Sequence, residues 1–589
     1  AAEETAEIPA AAEEHEEIVV TIPGVSTSDE PMNESSGTCG DKLTWSIQGN
    51  TLTIGGTGEM SNWARGCAAS YPGWYDNRAQ IVNLVIGPKV TSIGNWAFEG
   101  FTNLRVFNTG SAIQTIGGNA FNGCFNIRTV TIQKTVTNIG EAAFVNCANI
   151  QTITFAGGSK CTSIEDSAFS GNSNLKKIVI PSKVTNVGAG AFENCYNMTT
   201  LKLGAGVESI GKSAFKGCTA LTGITITGKV KTIGESAFSG DKSIKKVILG
   251  SSVESIGNEA FIDCAALTKV SVKSKNIKSI GASAFKNCAK LAELSMPKSY
   301  VNIGDSAFEN DTALKSADIA NATAIGASAF RNCDTLSVVK LGESLGSIGS
   351  YAFANNEALE TFTVPSTVKT IGEGAFRYDP ALKTIALKSG AVGDYCFEGD
   401  ASLTTVTMKE GVTSIGKSAF ENCTELQWAR LSDTVTTVGD YAYKNCTKLR
   451  EAVLGYCVTS IGTQAFYNDP ALTNVQLDAG LNTIGSEAFR FAPITEINIP
   501  NAVLQVYGSA FADCRLLEKV NVGNNCKTIG DNVFNGCDNL TDAYFYSKLV
   551  TFGRSSIPVG ESVTIHGYLD STSKTYAEEN VNKFAEIVQ

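Results

Sequence analysis

Histidine is nearly missing from this chain: His15 and His566, one near each end, are the only two in 589 residues. A Ser/His/Asp or Cys/His catalytic set needs an imidazole beside its nucleophile, so none can be assembled along the body of the chain. Zinc is excluded by spacing: the seventeen cysteines include no C-x-x-C pair and no Cys/His cluster. Long apolar runs are lacking too, since none approaches the roughly 18 residues of a membrane span. A basic surplus is also absent. The formal charge is −11, but residues 1–36 hold ten acidic side chains and no Lys or Arg, leaving 48 acidic against 47 basic side chains elsewhere. Nucleic acid and anionic membranes call for a basic surface, so neither is an expected partner.

What is present is a repeat. The stretch Ile210-Gly211-Lys212-Ser213-Ala214-Phe215-Lys216-Gly217-Cys218 returns in close copies, marked by its aromatic, from Phe98 through Phe121, Phe144, Phe261 and Tyr443 to Phe534. There are twenty such markers, mostly 23 residues apart. A fixed period of this length means a solenoid in which each coil buries its apolar side against its neighbours. The length alone would suggest several globular domains; the repeat overrides that expectation.

One unit shows how the pattern specifies a coil. In Leu175-Lys176-Lys177-Ile178-Val179-Ile180-Pro181, Ile178 and Ile180 point one way and Lys177 and Val179 the other, as in a short strand that ends at Pro181. In Val184-x-x-Val187-Gly188, the glycine is expected at positive φ, turning the chain into a short helical segment that carries Ala191 and Phe192. Glu165 and Tyr507 stand where that glycine should be and predict local distortion. The fold class expected is an α/β solenoid with one long parallel sheet and short helical turns on the opposite face. Residues 1–36 read as a disordered acidic leader or linker. Residues 37–80 read as a β-hairpin N-terminal cap, with Leu43, Trp45 and Ile47 facing Leu52 and Ile54 across Gly49-Asn50. Residues 81–552 are the repeats. Residues 553–589 are a small C-terminal cap of strand, helix over 571–580 and closing strand.

Eleven cysteines, among them Cys195, Cys218 and Cys446, sit three residues after the marker aromatic. Asn172, Asp241, Asp311, Asn356, Asp379, Asp400 and Asp469 fill the same slot elsewhere, so it cannot depend on a disulfide. It suits a small side chain in weak polar contact with backbone. With Cys161, Cys396 and Cys526, which replace core residues, fourteen cysteines read as core thiols.

Leu175 to Pro181 and Val207 to Cys218 fit a strand L-x-x-V-x-I-P followed by V-x-x-I-G-x-x-A-F-x-x-C, and the chain resembles the BspA-like leucine-rich-repeat proteins over about residues 81–552. The opening Ser36-Gly37-Thr38-Cys39-Gly40-Asp41-Lys42-Leu43-Thr44-Trp45 and the ending Gly567-Tyr568-Leu569-Asp570-Ser571 look like terminal segments of bacterial members. That resemblance implies a right-handed leucine-rich-repeat superhelix, secreted or displayed on a cell surface, in a family associated with adhesion and with binding host matrix proteins. It supplies no catalytic residues, no cofactor and no metal. It carries no L-P-x-T-G tail for wall anchoring.

Two phosphate-loop matches, ending at Lys212-Ser213 and Lys417-Ser418, place the repeat's core residues Val207, Ile210, Val412 and Ile415 where a phosphate cradle needs free backbone; they are by-products of the repeat. The informative surface is the outward side of the sheet, mostly Thr, Ser and Lys. There Lys177, Lys202, Lys246 and Lys269 fall on nearby coils, and solubilising the sheet is their plain role; an acidic ligand is the alternative. Trp428 and Arg430 share one strand beside Glu451, and Trp and Arg dominate interface hot spots. The expectation is a monomeric, non-enzymatic extracellular adhesion or binding protein with a protein or glycan partner; the rival is a structural spacer that holds another module away from a surface.

Overall fold

In the computed structural model, residues 35–65, 71–226, 228–295 and 301–588 are described. The expected leader lies almost wholly outside them, as does Cys67. Alternation makes the first strand of each coil: Lys177–Val179 buries Ile178 between two exposed residues and lies parallel to Thr200–Lys202, in register Ile178 to Leu201. The second strand is the dipeptide before the glycine. Asn186–Val187 pairs in parallel with Ser163–Ile164 on one side and Ser209–Ile210 on the other. The coils therefore form a parallel β-solenoid.

Two expectations about these strands are corrected. The sheet of the longer strands is not continuous but falls into separate segments, and each break has a three-residue strand on one side, where few ladder bonds can form. The unbroken ladder is instead that of these second strands, twenty-one from Ser92–Ile93 to Thr551–Phe552, all dipeptides but four of three or four residues. The glycine after each dipeptide explains it, and not through positive φ. A Cβ on Gly188 would stand 2.5 Å from the carbonyl carbon of Glu165 in the preceding coil, so glycine allows the backbones to approach. Glu165 and Tyr507 nevertheless leave the ladder intact. Their amides donate to Ile139 and Ile484 at 3.0 and 2.9 Å, and the Glu165 carboxylate accepts from the Asn138 side chain at 2.7 Å.

Among the described residues of the repeats the helical turns are also absent. Among the described residues the only α-helix is Thr572–Glu579, and Tyr75–Asn77 is a single 3-10 turn. In their place each coil carries left-handed residues two before and two after the marker aromatic, such as Ser213 (φ 53°) and Gly217 (φ 75°) around Phe215. These reversals turn alternate amides outward. Phe215 N–H donates to Ala237 of the next coil at 2.9 Å, while Ala214 and Lys216 close local turns onto Gly211 and Ser213. Backbone donors are thus satisfied between coils, and no helix can propagate.

Inside, the marker rings form one column. From Phe98 to Phe534 each stacks on the next, with centroids 4.9 to 5.6 Å apart. Trp74 extends the column by stacking on Phe98 at 5.6 Å and donates its indole N–H to Ala97. Before it, Leu43–Gln48 and Thr51–Gly56 form an antiparallel hairpin turning at Gly49-Asn50, with Ser36–Gly40 as a further strand outside it. At the other end Thr564–Gly567 pairs with Lys583–Glu586, and the helix between them buries Tyr576.

The cysteine slot works by hydrogen bonding. All eleven thiols in it donate to the carbonyl of the preceding coil's marker aromatic, from 3.0 Å (Cys147) to 3.5 Å (Cys195). The Asn172 amide donates to the same kind of carbonyl, that of Phe144, at 3.1 Å. Where the slot holds Asp311, Asp379, Asp400 or Asp469, one carboxyl oxygen accepts a backbone N–H of the preceding coil at 2.7 to 2.8 Å. The other oxygen is buried without a donor. Desolvation pushes these carboxyls well above the usual range, and at Asp400 the neighbouring Asp379 adds to it. The sixteen described cysteines are unpaired, and Cys457 is the exposed one among them.

Candidate functional site

On the outward side of the longer strands, Trp428–Arg430 buries Ala429 and leaves Trp428 39% exposed. Trp428 lies opposite Glu451 in the next coil, and Arg430 opposite Val453. The guanidinium reaches back diagonally to Glu451, with Nη2 2.8 Å from Oε2. Arg430 remains 64% exposed while Glu451 is mostly covered, so the pair holds a cation beside the indole and contributes little stability of its own. An indole and a guanidinium–carboxylate pair thus share the outward side of two adjacent strands. Such a site can stack on an apolar surface and make charge-assisted hydrogen bonds beside it.

The lysines are brought together only in part. Lys246 and Lys269 stand directly opposite each other in adjacent strands. Lys177 pairs with Thr200, and Lys202 with Val179, so these two occupy different columns of the face. All four are exposed.

Two arrangements escaped the sequence reading. Near the C-terminus Tyr544 stacks on His566 at 3.9 Å, and His566 Nε2 lies 2.8 Å from Asp542 Oδ1. This hydrogen bond, with one from Thr541, holds the Asp542 carboxyl below its usual range. Among the described residues no three His, Cys, Asp or Glu side chains gather to hold a metal ion. The second arrangement lies on the turn side. There Tyr351, Tyr395 and Tyr441 occupy the left-handed position two before the marker, and Tyr378 and Phe491 the one two after it. Other coils place mostly Ser, Asn or Gly there. A bulky residue at positive φ costs about 1 to 3 kcal/mol. The signal was legible as aromatics at two fixed offsets from the marker, but its meaning depends on φ.

The family model described as BspA type leucine rich repeat region matches in overlapping stretches that together run over residues 72–558. The chain belongs to the BspA-type leucine-rich-repeat family. Among solved structures, a leucine-rich repeat protein from Bacteroides ovatus is 20% identical, with 93% of this chain and 99% of that one covered and a TM-score of 0.30. A leucine rich cell surface protein from Faecalibacterium prausnitzii is 21% identical over 76% of this chain and 95% of that one, with a TM-score of 0.27. The pneumococcal vaccine antigen PcpA is 14% identical, covering 94% and 99%, also with a TM-score of 0.27. At such TM-scores no residue of one chain is placed on another. No curated protein matches the chain. BspA-type repeats indicate no catalytic family, and a leucine-rich-repeat solenoid is typically a binding scaffold. Among the described residues no helix is long and apolar enough to cross a membrane.

Proposed function

We propose that this BspA-type protein is a non-enzymatic binding or adhesion protein acting at a cell surface or outside the cell as a monomer. The right-handed sense of its superhelix belongs to this reading. So does the division into a leader, repeats over 81–552 and a cap at each end, with the antiparallel strands before residue 57 and the helix after residue 571 closing the core. Trp428 and Arg430 anchor a protein or glycan partner on the outward sheet face. The observation that carries this is the half-exposed indole beside an exposed guanidinium whose carboxylate partner is already in place. A rigid scaffold supports it, because little ordering is lost on binding. Lys246 and Lys269 form a secondary, basic spot on the same face, with Lys177 and Lys202 apart from it on earlier coils.

The test is a screen of the full chain against matrix proteins and glycans, followed by hydrogen exchange on any complex. Slowed exchange in the strands Trp428–Arg430 and Glu451–Val453 supports the reading. A chain that binds nothing in the screen is better described as a spacer.

A further inference from the structure

The Tyr and Phe residues at left-handed turn positions are not required by the core, whose ring column is complete without them. Tyr378 is 48% exposed and Phe491 38%. Neighbouring coils make room for them: a Cβ on Gly374 would lie 2.4 Å from the Tyr351 ring, and one on Gly399 2.4 Å from the Tyr378 ring. Cations fill the intervals. Arg377 stands 4.8 Å from the Tyr378 centroid and 5.3 Å from that of Tyr395. Lys417 lies 5.7 Å from both Tyr395 and Tyr441, and Lys444 bridges Tyr441 and Tyr467 at 4.9 and 5.4 Å. The result is a strip of rings along the solenoid axis over the coils between residues 351 and 491; Trp96 (φ 61°), with Arg65 6.0 Å from its ring, is an isolated aromatic at the same position of the first coil. Large side chains held in a disfavoured backbone conformation, on a surface that does not need them, point to selection for something other than the fold.

We propose that this strip is a track for an uncharged, linear oligosaccharide laid along the solenoid axis. Three features of the strip select that ligand. Its cations do not outnumber its carboxylates: Arg377, Lys417, Lys444 and Arg490 share the strip with Glu373, Glu398, Glu487 and Asp513, and Arg377 pairs with Glu398 at 2.7 Å and Arg490 with Asp513 at 2.9 Å, so it has no surplus to attract a polyanion. Its rings alternate with charged and hydroxyl groups and surround no aliphatic patch, unlike the dry centre of a protein interface. Successive coils advance by about 4.8 Å, a strand spacing that a pyranose chain approximates with each unit, so a sugar's C–H face can meet a ring while its hydroxyls reach the flanking Lys, Glu and Tyr groups. The inference is independent of the Trp428 and Arg430 site, which lies on the other side of the coils.

The experiment is calorimetric titration of the full chain with hexasaccharides of β-linked glucose, N-acetylglucosamine and xylose, and with a heparin hexasaccharide. The variants are a triple change of Tyr378→Asn, Tyr395→Ser and Tyr441→Ser, which installs residues other coils use in these slots, and the double change Trp428→Ala with Arg430→Ala. The expected result is binding of at least one uncharged hexasaccharide, tighter than its trisaccharide, weakened at least tenfold by the triple change and not by the double. Melting temperature should hold or rise in the triple variant. The proposal is overturned if no uncharged hexasaccharide binds, if only heparin binds, or if the triple variant binds as wild type does. Loss of sugar binding in the double variant alone would also overturn it and transfer the sugar to the sheet face.

Discussion

The coils between residues 113 and 345 and those between 351 and 491 share one core and differ in their surface. Both stack the same aromatic column, and Phe261 on Phe285 and Phe397 on Phe420 are separated by 5.2 and 5.1 Å. In the first region the left-handed positions hold small or polar residues, and amides lace neighbouring coils, as where Asn310 donates to Asn287 at 2.8 Å. In the second region several of these positions hold aromatics, and the opposite face carries Trp428. Identical cores under different surfaces teach that the repeat specifies the scaffold, and departures from it specify what the scaffold does.

The strongest way to break this comparison is to cut the shared column in each region. Phe261→Ala and Phe420→Ala should each destabilise by about 3 to 5 kcal/mol and loosen the adjoining coils, measured by denaturant unfolding and hydrogen exchange. A loss below about 1 kcal/mol in either would mean that the two regions do not share a load-carrying core. Next in size is the surface that differs. Once a partner is confirmed, Trp428→Ala with Arg430→Ala should weaken it by about 2 kcal/mol or more at nearly unchanged stability. The matched pair Lys246→Ala and Lys269→Ala in the first region, as the secondary spot, should weaken it by less than the Trp428 and Arg430 pair does.

Acidity separates the regions again, because Asp379 and Asp400 occupy the slot in successive coils of the second. Their folded pKa values are raised by desolvation, so folding takes up protons. Their contribution is therefore favourable below the ordinary carboxylate pKa of about 4 and is lost as pH rises toward the raised folded value. The thiols Cys396 and Cys423 lie close to Asp400, Glu398 is held by Arg377 at 2.7 Å, and no cation lowers either carboxyl. Asp379→Asn should therefore stabilise the fold more at pH 8 than at pH 5, read as a larger rise of melting temperature at the higher pH. An unchanged difference between the two melts would refute protonation of this slot. The smallest effect is expected from the thiols. Burial pushes Cys195 up to about 12, and each slot thiol is bonded to a carbonyl, so alkylation of the folded chain should label Cys457 well ahead of the slot thiols of both regions. Disulfides between Cys195 and Cys218 in mass spectrometry would contradict the parallel stacking of the coils.

Much of the fold was legible because a 23-residue period repeats its evidence. The inward Ile178, the marker Phe192 and the slot Cys195 are each buried where the alternation and the period put them. The site was legible only as outward positions: Trp428 and Arg430 project as alternation requires, but the diagonal ion pair to Glu451 depends on register between coils. The lysines show the limit, since shared membership of nearby strands did not place Lys177 and Lys202 in one column.

By itself the sequence determined the solenoid, the buried residues and the reduced state expected of the slot cysteines, because hydrophobic period and side-chain size are local properties summed over twenty copies. Only the tertiary structure decided that the glycines serve close approach, that left-handed residues replace helical turns, and that the dipeptide strands make the unbroken ladder. The physical reason is that a backbone amide in this chain chooses between a partner three residues back and one a full coil away, and that choice is made by contact with the neighbouring coil.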